Sequence, residues 1–128
     1  FGEYAFSGCC SLPYISIPTR LTTVRDDAFS GCYSLASVTI PDSVTWIGKF
    51  AFYMCSSLSS VTIPNSITSI GEFAFYKCSS LKSIYHQATT PPILWNSCGF
   101  ISSKSDLKIY VPKSEGSTVL EAYKSAKS

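Results

Sequence analysis

The stretch GEFAFYKCSSLKSI, residues 71–84, has three near copies earlier in the chain. GKFAFYMCSSLSSV begins at residue 48, RDDAFSGCYSLASV at residue 25 and GEYAFSGCCSLPYI at residue 2, so each copy starts 23 residues after the one before it. A period of this length, with leucine at a constant offset, is typical of a solenoid. In such a fold one row cannot bury its apolar side alone and stacks on its neighbours.

The four rows agree at the apolar positions that a stacked core needs. Alanine, phenylalanine, leucine and a β-branched residue recur at fixed places, and an apolar residue closes each row. Phe1 falls in register with the closing residues, so we expect the chain to begin inside a solenoid whose N-terminal end is truncated. The recurring positions are Ala5, Ala28, Ala51 and Ala74; Phe6, Phe29, Phe52 and Phe75; Leu12, Leu35, Leu58 and Leu81; Ile15, Val38, Val61 and Ile84; and, closing the rows, Val24, Ile47, Ile70 and Ile93.

Each row contains one stretch with the pattern of a short strand. LASVTIP, residues 35–41, alternates apolar and small polar residues and stops at a proline, which cannot donate to a sheet ladder. Because every such strand enters its row in the same direction, the stacked strands are expected to form a parallel sheet. The equivalent strands are residues 12–18, 58–64, 81–87 and, one residue tighter, 107–112.

The other side of each row is predicted to be short helix or turn. After the proline a polar turn leads to a second apolar anchor, at Leu21, Val44 or Ile67. In GEFAFYKC, residues 71–78, the apolar residues then follow close to helical spacing, which predicts one or two helical turns. The sequence therefore predicts an α/β solenoid with a parallel sheet on one face and short helices or turns on the other.

The consensus I-G-x-x-A-F-x-x-C-x-x-L-x-x-V-x-I-P resembles the 23-residue repeat of the BspA-like leucine-rich repeat proteins. The resemblance covers residues 1–93, as repeats 2–24, 25–47, 48–70 and 71–93, and it implies a right-handed leucine-rich-repeat superhelix. Residues 94–128 resemble the C-terminal cap of such arrays, with a final strand and a short helix.

Two places depart from the repeat. Arg25 stands where the other rows have glycine, and His86 and Gln87 replace an apolar residue and the proline. We therefore read row four as the transition into the cap, with ATTPPILWNSCGF, residues 88–100, as an inserted loop. His86 is the only histidine in the chain, and we expect it at an edge, facing the cap.

Cysteine recurs with the same period, at Cys9, Cys32, Cys55 and Cys78. A cysteine that recurs in a repeat is usually a small buried hydrophobe, so this ladder is interpreted as structural. In-register side chains would hold neighbouring β-carbons near 4.8 Å, beyond the roughly 3.8 Å of a disulfide, so the thiols are expected to stay reduced. A disulfide between Cys10 and Cys98, which lie outside the ladder, is left open.

Composition and motifs narrow the function classes. The 128 residues are 45% hydrophobic and 14% charged, which indicates one folded domain, and the net charge of +2 comes without a basic run, so no nucleic-acid partner is expected. No apolar run reaches the roughly 18 residues needed to cross a bilayer. The sole histidine has no acid nearby in sequence, and the acidic residues are scattered singly. No enzyme activity, metal site or cofactor is expected.

The polar positions of the strands form the candidate site. They point away from the core, either as a merely soluble β-favouring surface or as a recognition surface on which tyrosine offers rigid contact area and hydroxyl groups offer hydrogen bonds. Solenoids commonly bind through such a face. The candidate ligand-binding residues are Tyr14, Ser37, Ser60 and Ser83 in one column and Ser16, Thr39, Thr62, Tyr85 and Tyr110 in the next.

The resemblance implies a function for this face. BspA-like proteins are cell-surface or secreted proteins that adhere to host matrix proteins or other cells, so an extracellular module that binds a protein or glycan is expected, as a monomer or with self-association through its edges. An architectural or self-assembling array, and a targeting accessory to an enzyme domain elsewhere in the parent chain, are the alternatives. Five strands offer about 500 Å², below the roughly 800 Å² per partner of a stable interface, so weak or multivalent binding is expected.

Overall fold

The computed structural model describes residues 11–87, 93–94 and 108–110, with Ile93, Leu94 and Ile109 described by their backbone alone. Within these ranges the chain forms nine short strands and no helix. They are β1 (Tyr14–Ser16), β2 (Thr23–Val24), β3 (Ser37–Thr39), β4 (Trp46–Ile47), β5 (Ser60–Ile63), β6 (Ser69–Ile70), β7 (Ser83–His86), β8 (Ile93–Leu94) and β9 (Lys108–Tyr110).

All strand pairs are parallel, as the repeat predicts. The odd-numbered strands form one side of the solenoid, as a β1–β3 sheet and a β5–β7–β9 sheet; we call their outward side the sheet face. The even-numbered strands form a second, continuous sheet in the order β2–β4–β6–β8. Each full row thus contributes one strand to each side. The register follows the 23-residue repeat, as in the pairing of Val61 with Ile84.

The strand-ending proline opens the turn that joins the two strands of a row. The carbonyls of Pro18, Pro41 and Pro64 each accept a hydrogen bond from the amide three residues on, at 3.1–3.2 Å. The turn carries the second apolar anchor inward, so that Val44 and Ile67 are buried. Proline also ends the ladder because it has no N–H group to donate.

The outer ridge, residues 25–32, 48–55 and 71–78, consists of turns and not of helix, so the prediction of one or two helical turns was wrong and the alternative of turns is what the structure shows. In rows two and three, the ridge amides alternate between a three-residue turn within the row and a bond to the next row. An α-helix needs successive amides to bond four residues back, so the crossing bonds exclude it. In the third row the turn donors are Ala51, Tyr53 and Cys55, at 3.1–3.3 Å, and the crossing donors are Phe50, Phe52 and Met54, which reach Glu72, Ala74 and Tyr76 at 2.8–3.0 Å.

A left-handed backbone recurs at two positions of each ridge row, and in rows two and three these positions are crossing donors. Only Gly31, with φ of 76°, is a residue that adopts this conformation freely. For an L-residue the left-handed conformation costs roughly 1–2 kcal/mol, which the crossing bonds and the packing of the ridge offset. The other left-handed residues are Asp27, Phe50, Met54, Phe73 and Lys77, with φ of 57–62°.

The core is a stack of equivalent side chains between the two sides and the ridge. The rings of Phe29, Phe52 and Phe75 are fully buried and stack with centroids 5.2 Å apart and planes within 8°. The rows approach so closely that a β-carbon at Gly48 would lie 2.6 Å from the amide nitrogen of Asp26. A β-carbon at Gly71 would lie 2.5 Å from that of Lys49, so the row-opening glycine is a packing requirement.

Row four differs from the expectations in two ways. His86 is buried at a core position of β7, opposite Ile63, and is not an edge residue. Ile70 pairs with Leu94 and not with Ile93, because this row has one residue more between its two strands than the rows before it. Strand β8 therefore lies within the stretch that we read as an inserted loop. The rest of that loop, and the predicted cap apart from Leu94 and β9, lie outside the described residues.

The left-handed positions predict that two substitutions affect the free energy of unfolding differently. Gly31→Ala should lower the free energy of unfolding by about 1 kcal/mol, because alanine resists a positive φ. Lys77→Gly, at the equivalent position of row four, should raise it or leave it unchanged, because relief of strain there outweighs or balances the added freedom of the unfolded chain. Urea titrations of both variants provide the measurement. If Gly31→Ala left the unfolding midpoint unchanged, the left-handed turn would not matter to stability.

Candidate functional site

The structure brings the nine predicted sheet-face residues into two columns, in register within the β1–β3 pair and within the β5–β7–β9 sheet. Their side chains are exposed, except that Ser60 and Ser83 are half-buried. They alternate with buried residues such as Val38 and Ile84, because successive side chains of a strand point to opposite sides. The sheet face therefore consists mainly of hydroxyl-bearing side chains.

One end of the sheet face carries a rigid aromatic pair. The rings of Tyr85 and Tyr110 stack with centroids 4.9 Å apart and planes 11° from parallel. They remain 43% and 47% exposed. Because Tyr110 covers one side of the Tyr85 ring, the free side of that ring is directed along the sheet towards its other register neighbour, Thr62. Each ring restrains the other, which lowers the entropy lost on contact with a partner.

A third tyrosine lies at the opposite end of the face. The Tyr14 hydroxyl lies 2.9 Å from the Thr39 hydroxyl on the next strand. Hydrogen bonds with Thr39 and then Ser16 lower the pKa of the exposed Tyr14 phenol from its usual value. The bond ties Tyr14 across two rows and fixes the position of the Thr39 hydroxyl.

Sequence reasoning missed Lys108, which belongs to the first column. It pairs with Ser83 in register and is exposed on the same side as Tyr110. The sequence could have identified it, because Lys108 precedes Tyr110 by two residues in the same strand and therefore lies on the same side. This end of the sheet face therefore carries a cation, and Lys82, just before β7, is also exposed.

The outer ridge carries a second aromatic cluster that the sequence reasoning did not single out. Phe50 stacks on Phe73 and Tyr53 on Tyr76, with centroids 5.4 Å and 6.0 Å apart, and all four rings are half-buried. Lys49 Nζ lies 5.5 Å from the centroid of the Phe50 ring. The signal was the motif FAFY in rows three and four, where row two has DAFS.

The cysteine ladder is represented by Cys32, Cys55 and Cys78, which are free thiols and buried; Cys9, Cys10 and Cys98 lie outside the described residues. Each of the last two ladder thiols donates to the preceding row: Cys55 Sγ to the Phe29 carbonyl at 3.2 Å, and Cys78 Sγ to that of Phe52 at 3.1 Å. Sequence reasoning did not foresee this donor role.

The ladder thiols are held in their neutral form. Burial raises the pKa of Cys55 far above its usual value, and the neighbouring thiols Cys78 and Cys32 add to the effect. Burial raises the pKa of Cys78 to about 12, against a smaller opposing effect of its backbone hydrogen bond. Because the thiolate is the nucleophile and metal ligand, these groups are poorly suited to either role.

Within residues 11–87, 93–94 and 108–110, no three histidine, cysteine or acidic side chains come together in a way that could hold a metal ion. No helix in that part of the chain is long and apolar enough to cross a membrane.

Comparisons with known proteins agree with the repeat architecture. The family model of the BspA type leucine rich repeat region matches residues 1–114, in 6 copies. No curated protein matches the sequence.

Two solved structures show the same fold at low sequence identity. A leucine-rich repeat protein from Bacteroides ovatus is 24% identical over 88% of this chain, with a TM-score of 0.60. The T. pallidum leucine-rich repeat protein TpLRR is 22% identical over 94% of this chain, with a TM-score of 0.54. The chain spans 36% of the length of the first structure and 74% of the second.

Burial of the ladder predicts slow alkylation of its thiols. In the folded protein at pH 8, iodoacetamide should modify Cys55 and Cys78 at least about 100-fold more slowly than in guanidinium, where a thiol has a pKa of about 8.5. Because the pKa of Cys78 is raised to about 12, its native-state rate should keep rising with pH above 9 and not level off. Peptide mapping by mass spectrometry reports each site. Rapid modification of Cys55 in the folded state would contradict its burial.

Proposed function

The chain belongs to the BspA type leucine-rich repeat family, and from that premise we propose that it is a non-enzymatic binding module. It recognises a protein or glycan on host or neighbouring cells through the sheet face. The proposal includes a location outside the cell, as part of a secreted or surface-exposed protein acting in adhesion, and the family resemblance supports it.

The exposed tyrosine pair carries this proposal. A surface that only had to be soluble would be served by the serine and threonine side chains found in rows two and three. Strands β7 and β9 instead present two large rings, Tyr85 and Tyr110, which are 43% and 47% exposed. Tyrosine combines a broad apolar surface with a hydroxyl group and few rotatable bonds, a combination enriched in recognition surfaces.

The surroundings of the pair favour a polar partner. Lys108 shares strand β9 with Tyr110, and the columns next to the rings present the hydroxyl groups of Ser83 and Thr62. Aromatic area flanked by hydrogen-bonding groups and a cation suits a hydrated surface rather than an apolar one.

The observed strands limit the affinity of a single module. They are three or four residues long on this side, so five strands present only about 300 Å² at about 3.3 Å per residue and 4.8 Å between strands. A stable protein interface needs roughly 800 Å² from each partner. The module therefore binds weakly on its own and gains avidity when many copies or longer arrays act together.

Replacing the exposed tyrosines tests the proposal. Tyr85→Ser, Tyr110→Ser and the double variant should fold normally but lose about fivefold to thirtyfold in affinity, as expected for removal of an aromatic contact worth about 1–2 kcal/mol. The double variant should lose less than the sum of the two free-energy changes, because each ring supports the other. Surface plasmon resonance on a panel of purified matrix proteins and glycans, with the full chain displayed multivalently, measures the loss.

The outer ridge provides a matched control. Tyr53→Ser with Tyr76→Ser removes a second stacked tyrosine pair, and Lys49→Ser and Lys77→Ser remove the cations beside the ridge rings. These changes should leave capture unaltered. Loss of capture in the ridge variants together with unaltered capture in the sheet-face variants would move recognition to the ridge and overturn the proposal.

A further inference from the structure

The sheet face is divided between β3 and β5. Strand β3 pairs only with β1, and β5 pairs over four residues with β7. Between residues 36–40 and 59–63, all of which the structure describes, the only backbone hydrogen bond runs from the Ser59 amide to the Ala36 carbonyl, at 3.3 Å. Beyond that bond the two strands separate.

A cleft of about 330 Å³ opens where the strands separate. Parallel strands direct alternate N–H and C=O groups at their neighbours, so the facing edges of β3 and β5 present backbone groups that no partner strand uses. Buried or half-buried backbone groups of this kind require water or a ligand. The cleft is lined by Val38, Thr39, Ile40, Pro41, Asp42, Thr62 and Gln87.

The lining combines apolar and polar residues. Val38, Ile40 and Pro41 supply hydrocarbon surface, while the threonine hydroxyls, the Asp42 carboxylate and the Gln87 amide supply donors and acceptors. The Thr39 hydroxyl is already held in place by Tyr14. Thr62, on the other side, lies in register with Tyr85, whose free ring side is directed towards it.

At this cleft the sequence departs from the repeat pattern at Gln87. The equivalent residues of the other rows are Pro18, Pro41 and Pro64. The backbone amide of Gln87 donates to the Ile63 carbonyl at 3.0 Å, which a proline could not do, and the residue lines the cleft together with residues of rows two and three. The substitution thus places a hydrogen-bonding side chain in the cleft where the repeat alone would have placed none.

We propose that this cleft binds a neutral saccharide unit. A sugar ring offers C–H groups to apolar side chains and hydroxyl groups to hydrogen-bond donors and acceptors. The lining of this cleft contains both kinds of group. The volume lies at the lower end of the roughly 300–1,000 Å³ of small-molecule sites, so one or two rings fit. The inference rests on the sheet face being the binding face, and it identifies the ligand class of that face.

Charge decides between saccharide types. Asp42 is the only charged side chain in the lining, so a sulfated, phosphorylated or carboxylated sugar would meet a carboxylate without a compensating cation. A lysine or arginine side chain of a partner peptide would gain only an exposed ion pair with Asp42, which adds little. A neutral sugar uses the carboxylate as an acceptor for its hydroxyl groups, together with the amide and hydroxyl side chains.

Neutral oligosaccharides of hexose and N-acetylhexosamine are the probe. The full chain, displayed multivalently, is screened on an array of these saccharides, and the best one is titrated while amide chemical shifts are followed by NMR. The expected result is a shift of the amides of Thr39, Thr62 and Gln87. Gln87→Met and Thr62→Val, which keep the shape of each side chain, should each weaken binding about fivefold or more. Thr22→Val, an exposed threonine outside the cleft, is the matched control and should bind like the unchanged chain.

Asp42→Asn separates the saccharide from a cationic partner. Row three carries Asn65 at the equivalent position, so the turn tolerates the change, and an asparagine oxygen still accepts a hydrogen bond. Neutral-saccharide binding should therefore persist at a reduced level, whereas binding of a trilysine peptide would be lost. The inference is overturned if no neutral saccharide shifts the cleft amides, or if trilysine or sialylated and sulfated saccharides shift them instead.

The outcomes for the cleft and for the proposed function are distinguishable. If the tyrosine variants lose capture of a matrix protein while no saccharide enters the cleft, the binding function stands and the saccharide inference fails. If a neutral saccharide binds the cleft while the tyrosine variants capture partners normally, the saccharide inference stands and the role of Tyr85 and Tyr110 fails.

Discussion

The crossing hydrogen bonds of the outer ridge set the geometry of this molecule. In rows two and three every second ridge amide donates to the row after it, as Phe52 does to the Ala74 carbonyl at 2.8 Å. These bonds hold successive rows close together, which brings the phenylalanine rings into a stack and aligns the even-numbered strands in one continuous sheet. The ridge therefore has turns instead of a helix, left-handed residues such as Phe50, and a glycine where two rows would otherwise collide.

The same constraint explains why the thiols are structural and the sheet face is available for recognition. With rows fixed one spacing apart, Cys55 and Cys78 lie against the preceding row and donate to its carbonyls. Since the core, the ridge and the backbone pairing of the strands supply the row-to-row contacts, the outward side chains of the odd-numbered strands are free to vary. That freedom is visible in the change from serine and threonine in the middle rows to tyrosine and lysine at one end.

The period, the proline-ended strands, their parallel register and their exposed columns were predictable, because side-chain pattern alone determines them. The backbone conformation of the ridge was not predictable. Phe73, Ala74, Phe75 and Cys78 have nearly helical spacing, and the side-chain pattern does not show which carbonyl each amide bonds. Strand β2 and its equivalents escaped notice because two residues carry no period. The buried His86 and the separation of β3 from β5 depend on how neighbouring rows pack, which no single row encodes.

Amide hydrogen exchange, followed by NMR under native conditions, tests the central claim most directly. If the crossing bonds hold the solenoid together, the amides of Phe29, Phe52 and Met54 should exchange as slowly as the most protected amides of the β5–β7 pair, in one cooperative unit. The turn donors of the ridge, such as Ala51 and Tyr53, should open together with them. Exchange of the crossing amides at the rate of exposed loop residues, while the strand amides stayed protected, would show that the sheets hold the rows together without the ridge.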